Sequence, residues 1–403
     1  MDQSSRFRIG IIFNFTKGWL GGFYYYQNII KALDFLDDKE KPEIIIFYND
    51  DYSEYLEAIN YPYLQLVPWK FTGVYKGYFL SLIKRKNIFV DSMISAYQLN
   101  GIYPVNDNPV RAAKYLPAGV TGAAWFPDLQ HKFFPQFFDK KRLWLRELRL
   151  KLTLKNASDL VVSSYNTVEH FKQFYQIRNN LNVHVLQFVS ILDDNESPGI
   201  EKIRAEYNIP AEYFIVSNAF LKHKNHMVVL KALKVLKEKN RQVHVVFTGR
   251  MEVYEDGIHI GQLRNYIDEN HLQENLSMLG IIPRDHQLCI MKHAAAVIQP
   301  SLFEGWNTTV EDAKSLQLPV IASGIAVHKE QLQDKGFYFN PEDENELAEL
   351  LDTLSATSKD KPFYGDNTER ITTFARTFLN IFHKTQSAVF LKQDFLKLNN
   401  AGK

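Results

Sequence analysis

The chain is nearly free of cysteine. Cys289 alone among 403 residues leaves no internal disulfide and points to a reducing compartment. Its setting, LCIMKHAAAV, reads as a buried packing thiol rather than a nucleophile. No stretch approaches the ~18 consecutive apolar residues of a membrane span. The first apolar run, Phe7 to Phe15, is interrupted by Arg8, Gly10 and Asn14, so it reads as a strand and not as a signal peptide. The expected location is therefore the cytoplasm. Neither sign of charge dominates. With 47 Lys and Arg against 46 Asp and Glu, bulk electrostatics does not argue for nucleic acid. No His, Cys or carboxylate cluster has metal-ligand spacing, so neither a metal nor a cofactor is expected. Asn49-Asp50-Asp51 follows a strand and is the one acidic cluster that could hold a cation, but such residues after a strand ordinarily make a turn. There is no repeat of 20–50 residues and no complete dinucleotide fingerprint.

What is present is a run of short apolar strands alternating with amphipathic helices, over a length that suits two or three domains. In the first half, strands are predicted at Arg8–Phe15, Glu43–Tyr48, Tyr61–Trp69, Met93–Tyr103, Gly119–Trp125 and Asp159–Ser164. Gly18 to Gly22 is predicted as a glycine loop ahead of a helix from Phe23 to Leu36. Phe188 to Gly199, FVSILDDNESPG, shifts to Asp, Asn, Ser, Pro and Gly and is the best linker. A second α/β series follows, with strands at 214–217, 243–247, 276–279, 294–298, 319–322 and 336–339. Helices are predicted at 201–207, 226–238, 287–293, 345–353, 370–382 and 387–398. The fold class is α/β with two Rossmann-like halves.

The most informative stretch is Gln299 to His328, QPSLFEGWNTTVEDAKSLQLPVIASGIAVH. It reads as strand, loop, helix and strand. Thr308 and Thr309 are N-cap candidates, with Glu311 and Asp312 in the first turn. N–H groups at the helix start, around Asn307 to Val310, suit a phosphate, and Gly305 allows close approach of a ligand to the backbone. Glu304 and Asp312, about two helical turns apart, could hold hydroxyls at both ends of one ligand. A phosphate between two hydroxyl-bearing ends describes a nucleotide sugar; the plain alternative is a surface loop and a capped helix. Lys222 and Lys224, in AFLKHKNH before another helix start, suit a diphosphate, although two loop lysines are ordinarily just solvated. Gly21-Gly22 either admits a ligand or makes a tight turn. The stretch 140–155 mixes seven further basic positions with Trp144 and leucines; it reads as a solvated helix face or as a docking face for anionic lipid.

PSLFEGWNTTVEDAKSLQLPVIAS resembles the donor-binding segment of the family 4 glycosyltransferases, retaining enzymes of GT-B fold, and GWLGGFYYYQNIIKAL resembles their first loop and helix. The resemblance implies two Rossmann-like domains facing across a cleft: residues 1–190 on the acceptor side, 200–370 holding the nucleotide sugar, and 371–403 as helices crossing back onto the first domain. In the family's Glu-x7-Glu pattern Glu304 matches the first glutamate, while the second falls on Asp312. Glu311 lies one residue early, roughly 100° around a helix. Lys224 matches the family's diphosphate lysine. The partner arginine falls on Ala219, and Lys222 would supply the missing charge, though without a bidentate fork. PDLQH places His131 against the donor sugar. Gly249, Arg250, Ile281 and Ile282 match elements lining the nucleotide pocket, and Gly305, Trp306, Asn307, Thr308 and Thr309 complete the donor site. The implied activity is retaining transfer from a nucleotide-diphosphate sugar to a glycan or lipid-linked saccharide, in cell-surface polysaccharide synthesis such as that of lipopolysaccharide, without a metal. His131, Lys224 and Glu304 would be the catalytic residues. The alternatives are a degenerate GT-B protein that binds a nucleotide or partner without transfer, and a sugar-nucleotide epimerase.

Overall fold

The computed structural model describes residues 6–14, 20–49, 56–57, 59–105, 116–192, 199–251, 257–356 and 363–383. The chain divides into two compact units, one made of 1–188 with 368–403 and the other of 189–367. The division falls inside the Asp- and Ser-rich stretch that follows Phe188.

Unit 1 is built on seven strands in the order β3-β2-β1-β4-β5-β6-β7: β1 Arg8–Phe13, β2 Glu43–Tyr48, β3 Leu64–Pro68, β4 Gly101–Tyr103, β5 Thr121–Trp125, β6 Asp159–Val162 and β7 Asn182–Val185. Every pairing is parallel, with Ile9 opposite both Ile44 and Gly101. Parallel strands are covered on both faces, which is why EIIIFY and TGAAW are almost continuously buried. Helices Leu20–Asp34, Val74–Lys84, Asp91–Tyr97, Gln130–Phe133, Lys140–Asn156 and Tyr165–Phe174 supply the crossovers and short turns. The last described helix, Asn367–Asn380, enters this unit at residue 368. Its Phe378 ring stands edge-on to Tyr103 at 5.7 Å, and Phe382 lies where a side chain on Gly101 would be, 2.5 Å from the position of an added Cβ.

Unit 2 has six strands in the order β10-β9-β8-β11-β12-β13: β8 Phe214–Ser217, β9 Val245–Thr248, β10 Leu276–Gly280, β11 Val297–Gln299, β12 Val320–Ser323 and β13 Phe337–Phe339. These pairings too are all parallel. One core, including Val216, Val229, Leu233, Phe247 and Ile298, lies on one face of the sheet. A second, including Ile215, Val246, Ile290, Val297, Val310 and Val320, lies on the other. Alternate residues of each strand supply the two. The strand order reverses between β8 and β11, and in open α/β sheets ligands bind outside the strand C-termini at such a point.

Several sequence expectations differ from these elements. Met93–Tyr103 is not one strand. Asp91–Tyr97 is a helix that buries Met93 and Ile94, and it ends at Gln98 in the left-handed region, φ 51°; only Gly101–Tyr103 is extended. Gly21 and Gly22 lie within the Leu20–Asp34 helix rather than in a loop ahead of it, so neither makes a tight turn. β7 and the helix Gly257–Glu269 were not anticipated. The cap of the Thr308–Ser315 helix is Asn307, whose side chain accepts from Val310 N, and not Thr308 or Thr309. The expected helix at 387–398 and the acidic pair Asp50-Asp51 lie outside the described residues.

Candidate active site

In unit 2 the polar residues of the sequence motifs gather at the C-terminal ends of β8, β9, β10, β11 and β12. Asn218, just after β8, donates its amide to Gln299 Oε1 at 3.0 Å, spanning the switch point. Gln299 donates in turn to Ser301 Oγ at 2.7 Å and to Glu304 Oε1 at 3.3 Å. Thr309 Oγ1 donates to the Ser217 carbonyl at 2.7 Å, and Thr248 Oγ1 donates to Ser217 Oγ at 2.9 Å. Gly249 has φ +133°, and a Cβ there would lie 2.1 Å from the Asn218 carbonyl oxygen. Glycine is therefore required for the loops after β8 and β9 to meet.

Lys224 and Glu304 face each other across this network, with Nζ 2.5 Å from Oε1. Lys224 closes the short 3-10 turn Lys222–Lys224. The next residue, Asn225, takes the left-handed conformation and holds it with bonds from its amide to the carbonyls of Pro300 and Pro341. Burial pushes the Glu304 carboxyl up, but the ammonium of Lys224, the His223 ring and hydrogen bonds from Lys224 and Ser301 outweigh it, and the group ends below the usual range. A half-buried pair of this kind is held by mutual need. Losing one partner strands the other charge. Lys222 is exposed.

The two acidic residues of the Thr308–Ser315 helix have separate partners. Glu311 accepts from Lys314 at 2.9 Å and from Gln331 at 2.8 Å. Asp312 is 1% exposed and takes a bidentate fork from Arg284, 2.8 Å to Oδ2 and 2.6 Å to Oδ1. The Ser190 hydroxyl donates to the same Oδ1. Asp312 thus stitches the start of unit 2 and the helix Arg284–His293 to its own helix. Arg284 was not anticipated; its only signal is its place in the first turn of a helix just after the end of β10. Asn307 is also occupied: its N–H donates to Gln331 Oε1, its carbonyl accepts from Gln331 Nε2, and its side chain caps Val310. The phosphate expectation narrows to the N–H groups of Thr308 and Thr309. Gly305 is buried and Trp306 half-buried, with Lys314 Nζ 5.8 Å from the Trp306 ring centre. Arg250 accepts Phe220 N at its carbonyl. Ile281 is 65% exposed after the left-handed Gly280, while Ile282 packs on the core.

His328 was passed over by the sequence reading except as the end of the long motif. It is fully buried. Its Nδ1 lies 3.0 Å from the Ser323 carbonyl oxygen, which can only accept, so Nδ1 carries the hydrogen and Nε2 a lone pair. That Nε2 has no partner among the described residues. Burial depresses its pKa to about 4, with Glu304 opposing and Lys224 adding to the shift.

Residues 199–370 match the family described as glycosyl transferases group 1, which covers nearly all of unit 2. Over this stretch the chain is similar to the glycosyl transferases of group 1. Among curated relatives of this family it is 24% identical over 219 residues to the O-antigen chain mannosyltransferase RfbU of Salmonella typhimurium, covering 54% of this chain and 56% of that one. It is 28% identical over 128 residues to the putative glycosyltransferase EpsF of Bacillus subtilis, 31% of each. The chain thus spans about half the length of the first of these and about a third of the second. Among solved structures, HepE of Anabaena in complex with UDP-glucose superposes with TM-score 0.63 at 16% identity, over 98% of this chain and 99% of that one. A sucrose-phosphate synthase of Thermosynechococcus elongatus gives TM-score 0.63 at 15% identity, over 98% and 100%. At such identity the likeness shows the fold, a two-domain α/β GT-B fold, and the group 1 match places the Lys224–Glu304 pair within the family's own domain.

In unit 1, Gly22 is buried, Gly21 is exposed, and His131 lies in the short helix Gln130–Phe133 that follows β5. It is 2% exposed, and its pKa is depressed to about 4 by burial first and then by the neighbouring Arg146. Beside the same strand ends Tyr25 stacks on Trp125, centroids 4.4 Å apart, and its hydroxyl lies 2.5 Å from that of Tyr103. Among the described residues no three His, Cys, Asp or Glu side chains gather as a metal-binding group, and no helix is long and apolar enough to cross a membrane.

Proposed function

We propose that the chain is a retaining glycosyltransferase. It would take a sugar from a nucleotide-diphosphate donor and transfer it to a glycan or lipid-linked saccharide in cell-surface polysaccharide synthesis. The observation that carries this reading is the half-buried Lys224–Glu304 pair at the switch point of unit 2. Lys224 has two further N–H groups to direct at a diphosphate, and with the N–H groups of Thr308 and Thr309 it would neutralise the charge that develops as the nucleotide leaves. Glu304 would accept from donor-sugar hydroxyls, and His131 would donate to one. Retention follows from front-face attack, in which the acceptor hydroxyl approaches on the side the diphosphate departs and loses its proton to that leaving phosphate. The protein's part is orientation and charge stabilisation. RfbU and EpsF bear names that agree with this reading, and HepE was captured with UDP-glucose.

The deciding experiment is a thermal-shift screen of nucleoside diphosphates and their sugars, followed by transfer assays with the best donor. Ligand binding to the folded state raises its midpoint. Stabilisation by one nucleotide sugar together with its turnover is expected; no stabilisation by any of them removes the reading. One observation favours the non-transferring alternative, the Arg284 clamp on Asp312. Donor binding without hydrolysis or transfer would support it. Transfer also separates this reading from an epimerase, which needs no acceptor.

A peripheral membrane contact is proposed for the helix Lys140–Asn156, which exposes Trp144 and Leu148 beside the exposed Lys141, Arg149 and Lys151. Replacing these three basic residues by Gln should weaken binding to anionic vesicles and spare turnover of a soluble acceptor. Equal vesicle binding by both proteins would remove the contact.

A further inference from the structure

His131 is wired from one side only. Arg146 Nε donates to His131 Nδ1 at 3.1 Å. A guanidinium keeps its charge at all relevant pH and has no acceptor, so Nδ1 must offer a lone pair. The neutral ring then carries its hydrogen on Nε2. That atom is buried and has no partner among the described residues. A buried donor left unpaired is costly, and here it adjoins the strand ends where an α/β sheet takes its ligand.

Arg146 is itself held in place. Its Nη2 reaches the Asp128 carbonyl at 3.4 Å and Asp128 Oδ1 at 3.3 Å. Its guanidinium lies 5.0 Å from the centre of the Phe126 ring and 5.8 Å from that of Phe138. The same Asp128 Oδ1 accepts Gln130 N at 2.9 Å, at the start of the helix that bears His131. One carboxylate therefore registers both the arginine and the histidine. Nearby, Lys132 and Glu147 pair at 2.7 Å, which leaves Arg146 as the group that contacts the imidazole.

We propose that Arg146 is a positioning residue: it locks His131 in the Nε2–H tautomer, so that the ring presents a donor and no acceptor to a hydroxyl oxygen of the donor sugar. The proposal rests on the reading that His131 meets that sugar. Arg146 does not touch the ligand. On the basic helix Lys140–Asn156 it is half-buried, unlike the exposed Lys141, Arg149 and Lys151.

The charged groups around the ring are Arg146 and Glu147 from the long helix, Lys132 from its own helix and Asp128 from the loop before it. Of these only Arg146 contacts Nδ1. The test uses the full chain labelled with 15N-histidine, with the His131 signals assigned by loss in His131→Gln. Wild type should show one tautomer, with hydrogen on Nε2, between pH 5 and pH 8. Arg146→Met should lose that single pattern and begin to protonate nearer the ordinary histidine range. Its donor KM should rise by about tenfold, the scale of one hydrogen bond, with kcat changed less. Arg146→Gln can still donate an amide N–H to Nδ1 but lacks the charge. It should keep the tautomer and protonate at higher pH than wild type. A wild-type spectrum for Arg146→Met overturns the lock; should that variant fail to fold, a wild-type titration of Arg146→Gln does so. A changed spectrum with wild-type donor KM overturns the positioning role. The underlying reading fails separately, if His131→Ala leaves donor KM unchanged while the lock is intact in wild type.

Discussion

The two units share one architecture and equip it in opposite ways. Both are all-parallel sheets with polar groups gathered at strand C-termini. In unit 2 those groups are charged and cross-linked: Lys224 with Glu304, Arg284 with Asp312, Lys314 with Glu311. In unit 1 the groups that stand foremost are neutral rings, Tyr25 on Trp125, Tyr25 bonded to Tyr103, and His131, with the Arg146–Asp128 ion pair behind the histidine. Burial raises the Tyr25 and Tyr103 phenols well above their ordinary value, so both stay protonated. The contrast is sharpest in the two buried histidines. Arg146 makes His131 a donor at Nε2, whereas the Ser323 carbonyl makes His328 an acceptor at the same atom. The same fold thus yields one unit with charged pairs at its strand ends and one with aromatic and imidazole rings there. The partner on Nδ1, not the residue type, decides what each imidazole can read.

The largest effect should come from breaking the charged side of this contrast. Lys224→Ala strands Glu304 and should cost about 3–5 kcal/mol of stability in urea unfolding. It should also lower donor turnover by at least ~30-fold, the scale of losing a charge partner of the leaving group. Adding Glu304→Gln should restore part of the stability but not the turnover. Wild-type turnover in Lys224→Ala would place the diphosphate elsewhere.

A smaller effect is expected at Asp312. Asp312→Ala leaves the Arg284 fork without its carboxylate and should cost about 3 kcal/mol. A double-mutant cycle with Arg284→Met should return a coupling of at least ~1.5 kcal/mol. A coupling near zero, with a raised donor KM for Asp312→Ala alone, would mean that the carboxylate serves a ligand rather than the clamp.

The smallest effect near neutrality is the pH dependence, and it separates the two histidines from the carboxylate. His131 and His328 are held at about 4 in the folded chain, below an unfolded value near 6.5. Unfolding therefore takes up protons as pH falls, and their contribution, complete above pH 6.5, is lost progressively down to about pH 4. Glu304, held below its ordinary 4.5, contributes above that value and loses its share as pH falls through the lowered one. The thermal midpoint should thus fall from pH 6.5 downward in two regimes. His131→Gln and His328→Gln should each flatten the first, and Glu304→Gln the second. A midpoint that does not move between pH 6.5 and pH 4 would contradict the buried, neutral state of both rings.

Much of this molecule was legible from local pattern. β2, β8 and the helix His226–Glu238 stand where apolar runs and flanking turn residues put them, because strands buried on both faces are continuous in apolar residues and a helix against a sheet is periodic. Lys224, Glu304 and His131 could be singled out as candidates from motif alone. Where the reading missed, long-range contacts had overridden local signal. Asp91–Tyr97 looks extended by composition but is a helix, since only Met93 and Ile94 need burial. β7, NVHV, is a half-exposed edge strand with little apolar content.

The sequence by itself determined the α/β class and the residue types of the candidate site, because hydrophobic period, turn chemistry and motif spacing are local quantities. Only the tertiary structure decided what those residues touch. Arg284 lies 28 positions from Asp312, and Ser190 lies 122, so no spacing rule joins them. Arg146 and His131 are 15 apart on different helices. Which ring nitrogen keeps its hydrogen, and which carboxylate is already engaged, depends on partners that meet only when strand ends from across each sheet converge. Hydrogen bonds and ion pairs act over about 3 Å, a distance that folding sets.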